Sequence, residues 1–224
     1  MKKHLPLIIG IFLAMALIFF VAKWEFKAKQ AEREAGNLVQ ASVLTVKPND
    51  WVYGNEKATV TVVEYLDFEC EACRAYYPIT TQLKEEFKDS MRLVIRYFPL
   101  GGHRNSRTSA YAAEAAGKQG KFWEMYDLLY TNQGDWGEQE TANQAQFEKY
   151  AIEIGLDMEK YRKDVTSEEV KKRIDDSYNE AMSLDLQGTP SFFLNGRKFA
   201  SPQGYEAFKS LIDLARKSSA LLIF

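Results

Sequence analysis

Two thiols set three positions apart are the most chemically capable pair in this chain. Cys70 and Cys73 are the only cysteines among its 224 residues, and they form a C-x-x-C at what reads as a strand-to-helix junction. A sulfur at or just before the first turn of a helix faces unsatisfied backbone N–H groups and the positive end of the helix dipole. Both favour the thiolate, which is the nucleophile of thiol–disulfide exchange. A second thiol one turn on, on the same face, can attack the resulting mixed disulfide and release the product. Cys70 is then the exposed attacking thiol and Cys73 the shielded resolving one. A zinc half-site would need two further ligands, and the only histidines are His4, in the expected anchor at 1–22, and His103. A purely structural disulfide across so short a loop would constrain the unfolded chain little. A redox dithiol is the reading the residues favour.

The flanking elements must position these sulfurs. Thr59 to Leu66 (TVTVVEYL) is β-branched and aromatic with apolar residues on both faces, as in a central strand covered on both sides. Glu64 lies inside that run, so its carboxyl must be solvated, paired or protonated. A helical pattern follows from Arg74 to Lys88, with Pro78 expected to kink it, and then a second strand, Met91 to Phe98. This β–α–β unit suits parallel pairing. From Arg104 to Leu184 the pattern is helical. An alanine-rich segment spans Ser106 to Gly117, and apolar stripes run through Phe122, Tyr126 and Tyr130, through Phe147, Tyr150, Ala151 and Ile154, and through Val170, Ile174, Tyr178 and Ala181. Ser191 to Leu194 and Arg197 to Ala200 flank Asn195-Gly196, the preferred type I′ pair, and predict an antiparallel hairpin. A closing helix carries Tyr205, Phe208, Ile212 and Ala215 on one face, ahead of an apolar tail, Leu221 to Phe224. The outer pieces make one mixed α/β sheet with helices on its faces.

Composition bounds the function. The chain is 46% apolar and 27% charged with a formal net charge of −2, which argues against a nucleic-acid binder. Leu5 to Ala22 is an uncharged run behind Lys2 and Lys3. As a helix it would span roughly 27 Å, enough for a bilayer core. It lacks a small-x-small cleavage site at its end, so a signal anchor at 1–22 is expected rather than a cleaved signal peptide. Residues 23–46 alternate charge and alanine and read as a stalk, and 47–224 as the globular domain. Beyond residue 22 the chain carries 27 basic against 31 acidic residues, mild acidity that suits a soluble exported domain.

Gly54-Asn55, TVTVVEYLDFECEAC, YFPLGGH, GKFWEMYDLLY and GTPSFFLNGR occur in an order and spacing that resemble the DsbA-like thioredoxin family, and within it the membrane-anchored extracytoplasmic thiol:disulfide oxidoreductases. The resemblance covers about residues 46–217. It implies a thioredoxin fold with a helical insertion at about 102–186, preceded by a transmembrane helix. Pro190 matches the family's cis-proline facing the sulfurs, and Thr189 offers backbone for substrate pairing. Glu64 matches the buried acid below the dithiol, with a role in proton transfer to and from Cys73. The implied function is disulfide formation in exported proteins with no cofactor or metal. Exported thiol-containing proteins would be the substrates, and a quinone-linked membrane protein the reoxidising partner. A disulfide isomerase or reductase, or a non-catalytic binding module, is the alternative. The short charged stalk offers no obvious dimerisation region, so a monomer is expected. Glu71-Ala72 departs from the Pro-His of strongly oxidising members. A carboxylate at Glu71 should oppose the Cys70 thiolate, giving a milder oxidant. His103 reads as a helix-capping or surface residue.

Overall fold

A computed structural model describes residues 15, 17, 19–27, 29–30, 45–139, 141 and 143–221. The chain divides after Ser42, and the globular unit is Val43–Phe224. In the N-terminal unit the described residues are helical, with Leu17, Phe19, Phe20, Trp24 and Phe26 exposed. Much of the expected anchor at 1–22 and of the stalk at 23–46 lies outside the described residues, as do residues 222–224 of the apolar tail. No helix formed by the described residues is long and apolar enough to cross a membrane.

Five strands form one sheet in the globular unit, in the order β1-β3-β2-β4-β5. At its centre is β2 (Val60–Leu66), every residue of which is buried, as its unbroken apolar character requires. It pairs in parallel with β3 (Met91–Tyr97), Val60 opposite Met91 and Leu66 opposite Tyr97. Between them runs α1 (Glu71–Glu86). It begins three residues earlier than the apolar pattern suggests and continues through Pro78, whose missing N–H removes one bond of the ladder. The hairpin of β4 (Ser191–Leu194) and β5 (Arg197–Phe199) lies on the other side of β2. Asn195 and Gly196 both take positive φ, 47° and 78°, the backbone that a type I′ turn demands.

One strand escapes the sequence pattern. β1 (Trp51–Gly54) pairs antiparallel with β3 at the sheet edge. Four residues are too few for an alternation to register. Gly54 ends β1 at φ +96°, where a Cβ would stand 2.4 Å from the Met91 carbonyl oxygen, so no other residue fits.

Among the described residues, six helices lie between β3 and β4: α2 (Ser106–Gly117), α3 (Phe122–Thr131), α4 (Gln133–Trp136), α5 (Gln144–Glu153), α6 (Met158–Asp164) and α7 (Glu168–Ser183). The last helix, α8 (Tyr205–Leu221), follows the hairpin. Alternation along β2 divides the core. Val63 and Tyr65 pack with Val94, Phe193 and Ala181 of α7 on one face. Val62 and Leu66 join the larger cluster on the other, with Cys73, Tyr97, Tyr126, Tyr130 and Phe208. Glu64, two positions from each, follows Val62 and Leu66 onto the larger side. Phe68 lies within ring contact of Tyr97, Tyr126 and Tyr130. Burying an aromatic so completely contributes on the order of 2–3 kcal/mol, and it seats the chain just ahead of Cys70 against the inserted helices.

Candidate active site

Cys70 occupies the N-cap position of α1 in extended conformation, φ −68° and ψ 122°. It is 8% exposed and Cys73 1%, and both are free thiols. Both sulfurs are buried, so Cys70 is not the exposed thiol expected, but it is the more accessible of the two. The Cys70 thiol donates to the Thr189 carbonyl oxygen at 3.4 Å, and the Thr189–Pro190 peptide bond is cis. The sheet brings them together. Tyr65 opposes Ser191 across β2 and β4, which places Pro190 beside the end of β2 that leads to Cys70.

The two thiols differ strongly in acidity. Cys70 is lowered from about 9 to about 5, first by the hydrogen bond from the Cys73 thiol; burial works against this, and the Thr189 side chain and the backbone N–H groups of Cys73 and Ala72 add to it. The helix start thus supplies the donors that the C-x-x-C spacing promises. Cys73 is pushed well above its ordinary value, chiefly by burial and then by its neighbour Cys70. Cys70 is poised as a thiolate while Cys73 keeps its proton.

Glu64 sits under this pair. It lies between Ile95 of β3 and Phe192 of β4, is 1% exposed, and its Oε2 has no hydrogen-bond partner among the described residues. Burial raises its carboxyl to about 8, so it is protonated at neutral pH. It also adds to the rise at Cys73. A neutral acid next to the resolving thiol can give up or take a proton as Cys73 is released or consumed.

Two expectations need correction. Glu71 is exposed, and it is not among the leading influences on Cys70, which the Cys73 thiol and the helix N–H groups dominate. Of the two readings of His103, helix cap or surface residue, the cap fails, since Asn105 holds the N-cap of α2, while the His103 side chain is 28% exposed. Its Nδ1 lies 2.7 Å from Asp67 Oδ2, whose side chain is fully buried. This contact raises the imidazole's pKa, and Cys70 adds to the rise. His103, its cationic form favoured, is therefore among the groups near Cys70.

Sequence reasoning missed the residues that hold the loop from the other side. Asp67 accepts from the N–H groups of Glu69 and Leu100, each at 2.9 Å. Glu69 accepts from the N–H of Asn105 at 2.6 Å and of Glu138 at 2.9 Å. Asn105 in turn donates to the Trp136 carbonyl at 3.1 Å and accepts from the Asn143 N–H at 2.7 Å. Gln133 donates to the carbonyls of Phe68 and Cys70. The only local signal is the density of acid before Cys70 (DFEC); apart from the Asp67–Glu69 contact, the partners lie 31 to 69 residues away along the chain.

Together these elements define a thioredoxin-fold protein with an inserted helical domain and a dithiol at a helix start. The family model described as Thioredoxin matches residues 46–214. A thioredoxin-like oxidoreductase from Silicibacter pomeroyi is 33% identical, with a TM-score of 0.65, covering 76% of this chain and 94% of that one. DsbA1 of Wolbachia pipientis shares the fold at 18% identity, with a TM-score of 0.74, covering 82% of this chain and 98% of its own. A Salinispora tropica protein named Na(+)/H(+) antiporter NhaA 3 is 33% identical over 217 residues, covering 95% of this chain and 32% of that protein. The chain thus spans about a third of the length of the curated relatives it matches. The chain belongs to the thioredoxin family, with DsbA-like oxidoreductases as its structural neighbours.

Proposed function

We propose that the protein is a thiol:disulfide oxidoreductase that forms disulfide bonds in exported proteins through Cys70 and Cys73. One observation carries this reading: the acidic Cys70 thiol at the start of α1, hydrogen-bonded to the Thr189 carbonyl ahead of Pro190, with Cys73 buried behind it. A substrate thiolate attacks the Cys70 sulfur of the Cys70–Cys73 disulfide. The S–S bond breaks, and Cys73 leaves with the electron pair and takes a proton, for which Glu64 is placed as donor. A second substrate thiolate then attacks the substrate sulfur of the mixed disulfide and expels Cys70 as thiolate. The substrate loses two electrons and gains a disulfide, and the Cys70–Cys73 pair becomes the dithiol. The low pKa of Cys70 makes it a good leaving group and stabilises the reduced form, which favours an oxidising couple. Thr189 and Pro190 form the ledge along which an extended substrate segment pairs.

The uncharged run at 5–22 supports a membrane tether with the domain on the extracytoplasmic side. The reoxidising partner is then a quinone-linked membrane protein, and the protein acts as a monomer without cofactor or nucleic acid. Titration of the full chain against glutathione tests the direction. A potential of about −120 to −180 mV supports the oxidase; one at or below about −270 mV replaces it with a reductase or isomerase.

A further inference from the structure

The Cys70 loop is gripped from outside the thioredoxin frame by one side chain. Gln133, the first residue of α4, is 3% exposed. Its Nε2 donates to the Phe68 carbonyl at 2.6 Å and to the Cys70 carbonyl at 3.1 Å. One amide NH2 therefore spends both hydrogens on the two carbonyls that bracket the turn into α1. The Cys70 carbonyl also accepts the first helical bond, from the Arg74 N–H at 3.1 Å. The clamp is itself anchored. The Trp136 indole N–H donates to the Leu129 carbonyl at 3.0 Å, Asn105 holds the Trp136 carbonyl, and the Glu138 N–H holds Glu69 just before Cys70.

We propose that Gln133 is a positioning residue that sets the reactivity of Cys70. The inference rests on Cys70 being the attacking thiol. By holding the carbonyls on either side, Gln133 keeps the Cys70 backbone extended, so that its sulfur stays aimed at the N–H groups of Ala72 and Cys73. It also keeps the negative ends of two peptide dipoles turned toward a donor and away from the thiolate. Without the amide, the Phe68 carbonyl loses the Gln133 donor and the Cys70 carbonyl keeps only the Arg74 N–H, and the turn rotates to find another partner for the Phe68 carbonyl. The sulfur then leaves the donors that stabilise its charge.

The test follows the ultraviolet absorbance of the thiolate against pH in the reduced full chain. Gln133→Met keeps length and apolar packing but has no donor. It is expected to raise the Cys70 midpoint by about one unit and to lower the equilibrium constant for oxidising glutathione about tenfold, which is about 30 mV toward reducing. Gln139→Ala, an exposed change in the segment that follows α4, leaves both values alone. A folded Gln133→Met protein with the wild-type midpoint overturns the proposal. Should that variant fail to fold, Gln133→Leu takes its place. It offers no donor and adds no charge, and the same rise is required of it; failure of both to fold also overturns the proposal. A wild-type transition that survives Cys70→Ser would instead remove the reading of Cys70 itself, whatever Gln133 does.

Discussion

The strand-and-helix frame and the inserted helices both converge on Cys70, but they hold different things. The frame, through β2, α1 and the approach to β4, supplies the groups nearest the sulfurs: the Cys70 and Cys73 thiols, the N–H groups of Ala72 and Cys73, the Thr189 carbonyl and the Glu64 carboxyl. The insertion supplies Gln133, whose side chain grips the backbone on either side of Cys70, and Asn105, whose N–H holds the Glu69 carboxylate of the loop and whose side chain ties Trp136 to Asn143 behind it. Chemistry depends on charge next to sulfur, and the thioredoxin frame delivers that from the Cys73 thiol and the backbone donors of the helix start. Placement to within a fraction of an ångström depends on buried side-chain hydrogen bonds, and beside Cys70 the insertion supplies those of Gln133. The comparison suggests that changes in the frame alter what reaction occurs, and that changes in the insertion alter stability and poise.

The sharpest break in that division comes from the frame. Cys70→Ser is expected to reduce thiol–disulfide exchange to the uncatalysed level while leaving the fold intact, and Cys73→Ser to accumulate a mixed disulfide with substrate, read by mass. A Cys70→Ser protein that still turned over would remove the frame's claim to the chemistry.

Glu64 tests the frame through pH. Its folded pKa, about 8, lies above the unfolded value near 4.5, so stability is fully present below pH 4.5 and is lost as pH rises toward 8. By pH 7 the loss is about 3 kcal/mol. In the oxidised protein, where no thiol titrates, denaturant melts should show this decline for the wild type, and Glu64→Gln should flatten it. A decline that persists in the variant would assign it to another group.

The insertion answers next. Asn105→Ala strips a donor from the buried Trp136 carbonyl and an acceptor from the Asn143 N–H. It is expected to cost about 2 kcal/mol in urea melts, with the Cys70 thiolate midpoint moving less than in Gln133→Met. An equal or larger midpoint shift would mean that poise is spread through the whole network. The smallest effect belongs to the surface of the frame itself: Glu71→Gln should change the Cys70 thiolate constant by less than about twofold, because an exposed charge is screened by water. A tenfold change would restore the idea that the residues between the cysteines set the acidity.

Much of this protein was legible in the residues. The β-branched run into Cys70, the C-x-x-C, the Asn195-Gly196 turn and the helical stripes are local signals, and local periodicity is what side-chain and backbone geometry impress on a sequence. β2, the β4–β5 hairpin and the helical block accordingly stand within a few residues of where those signals point. β1 did not show, because four edge residues carry no period.

The sequence by itself determined the chemistry on offer: two thiols one helical turn apart, an acid inside a buried strand, and a Thr-Pro before a hairpin. Tertiary structure alone decided their electrostatics. The fall of Cys70 to about 5 depends on donors converging on one atom, and the rise of Glu64 to about 8 on the depth of its burial. Gln133, Asn105 and His103 matter through contacts with residues 31 to 65 positions away. No spacing in a linear chain encodes such distances, because a buried hydrogen bond is set by the packing of whole elements rather than by the residues next to it.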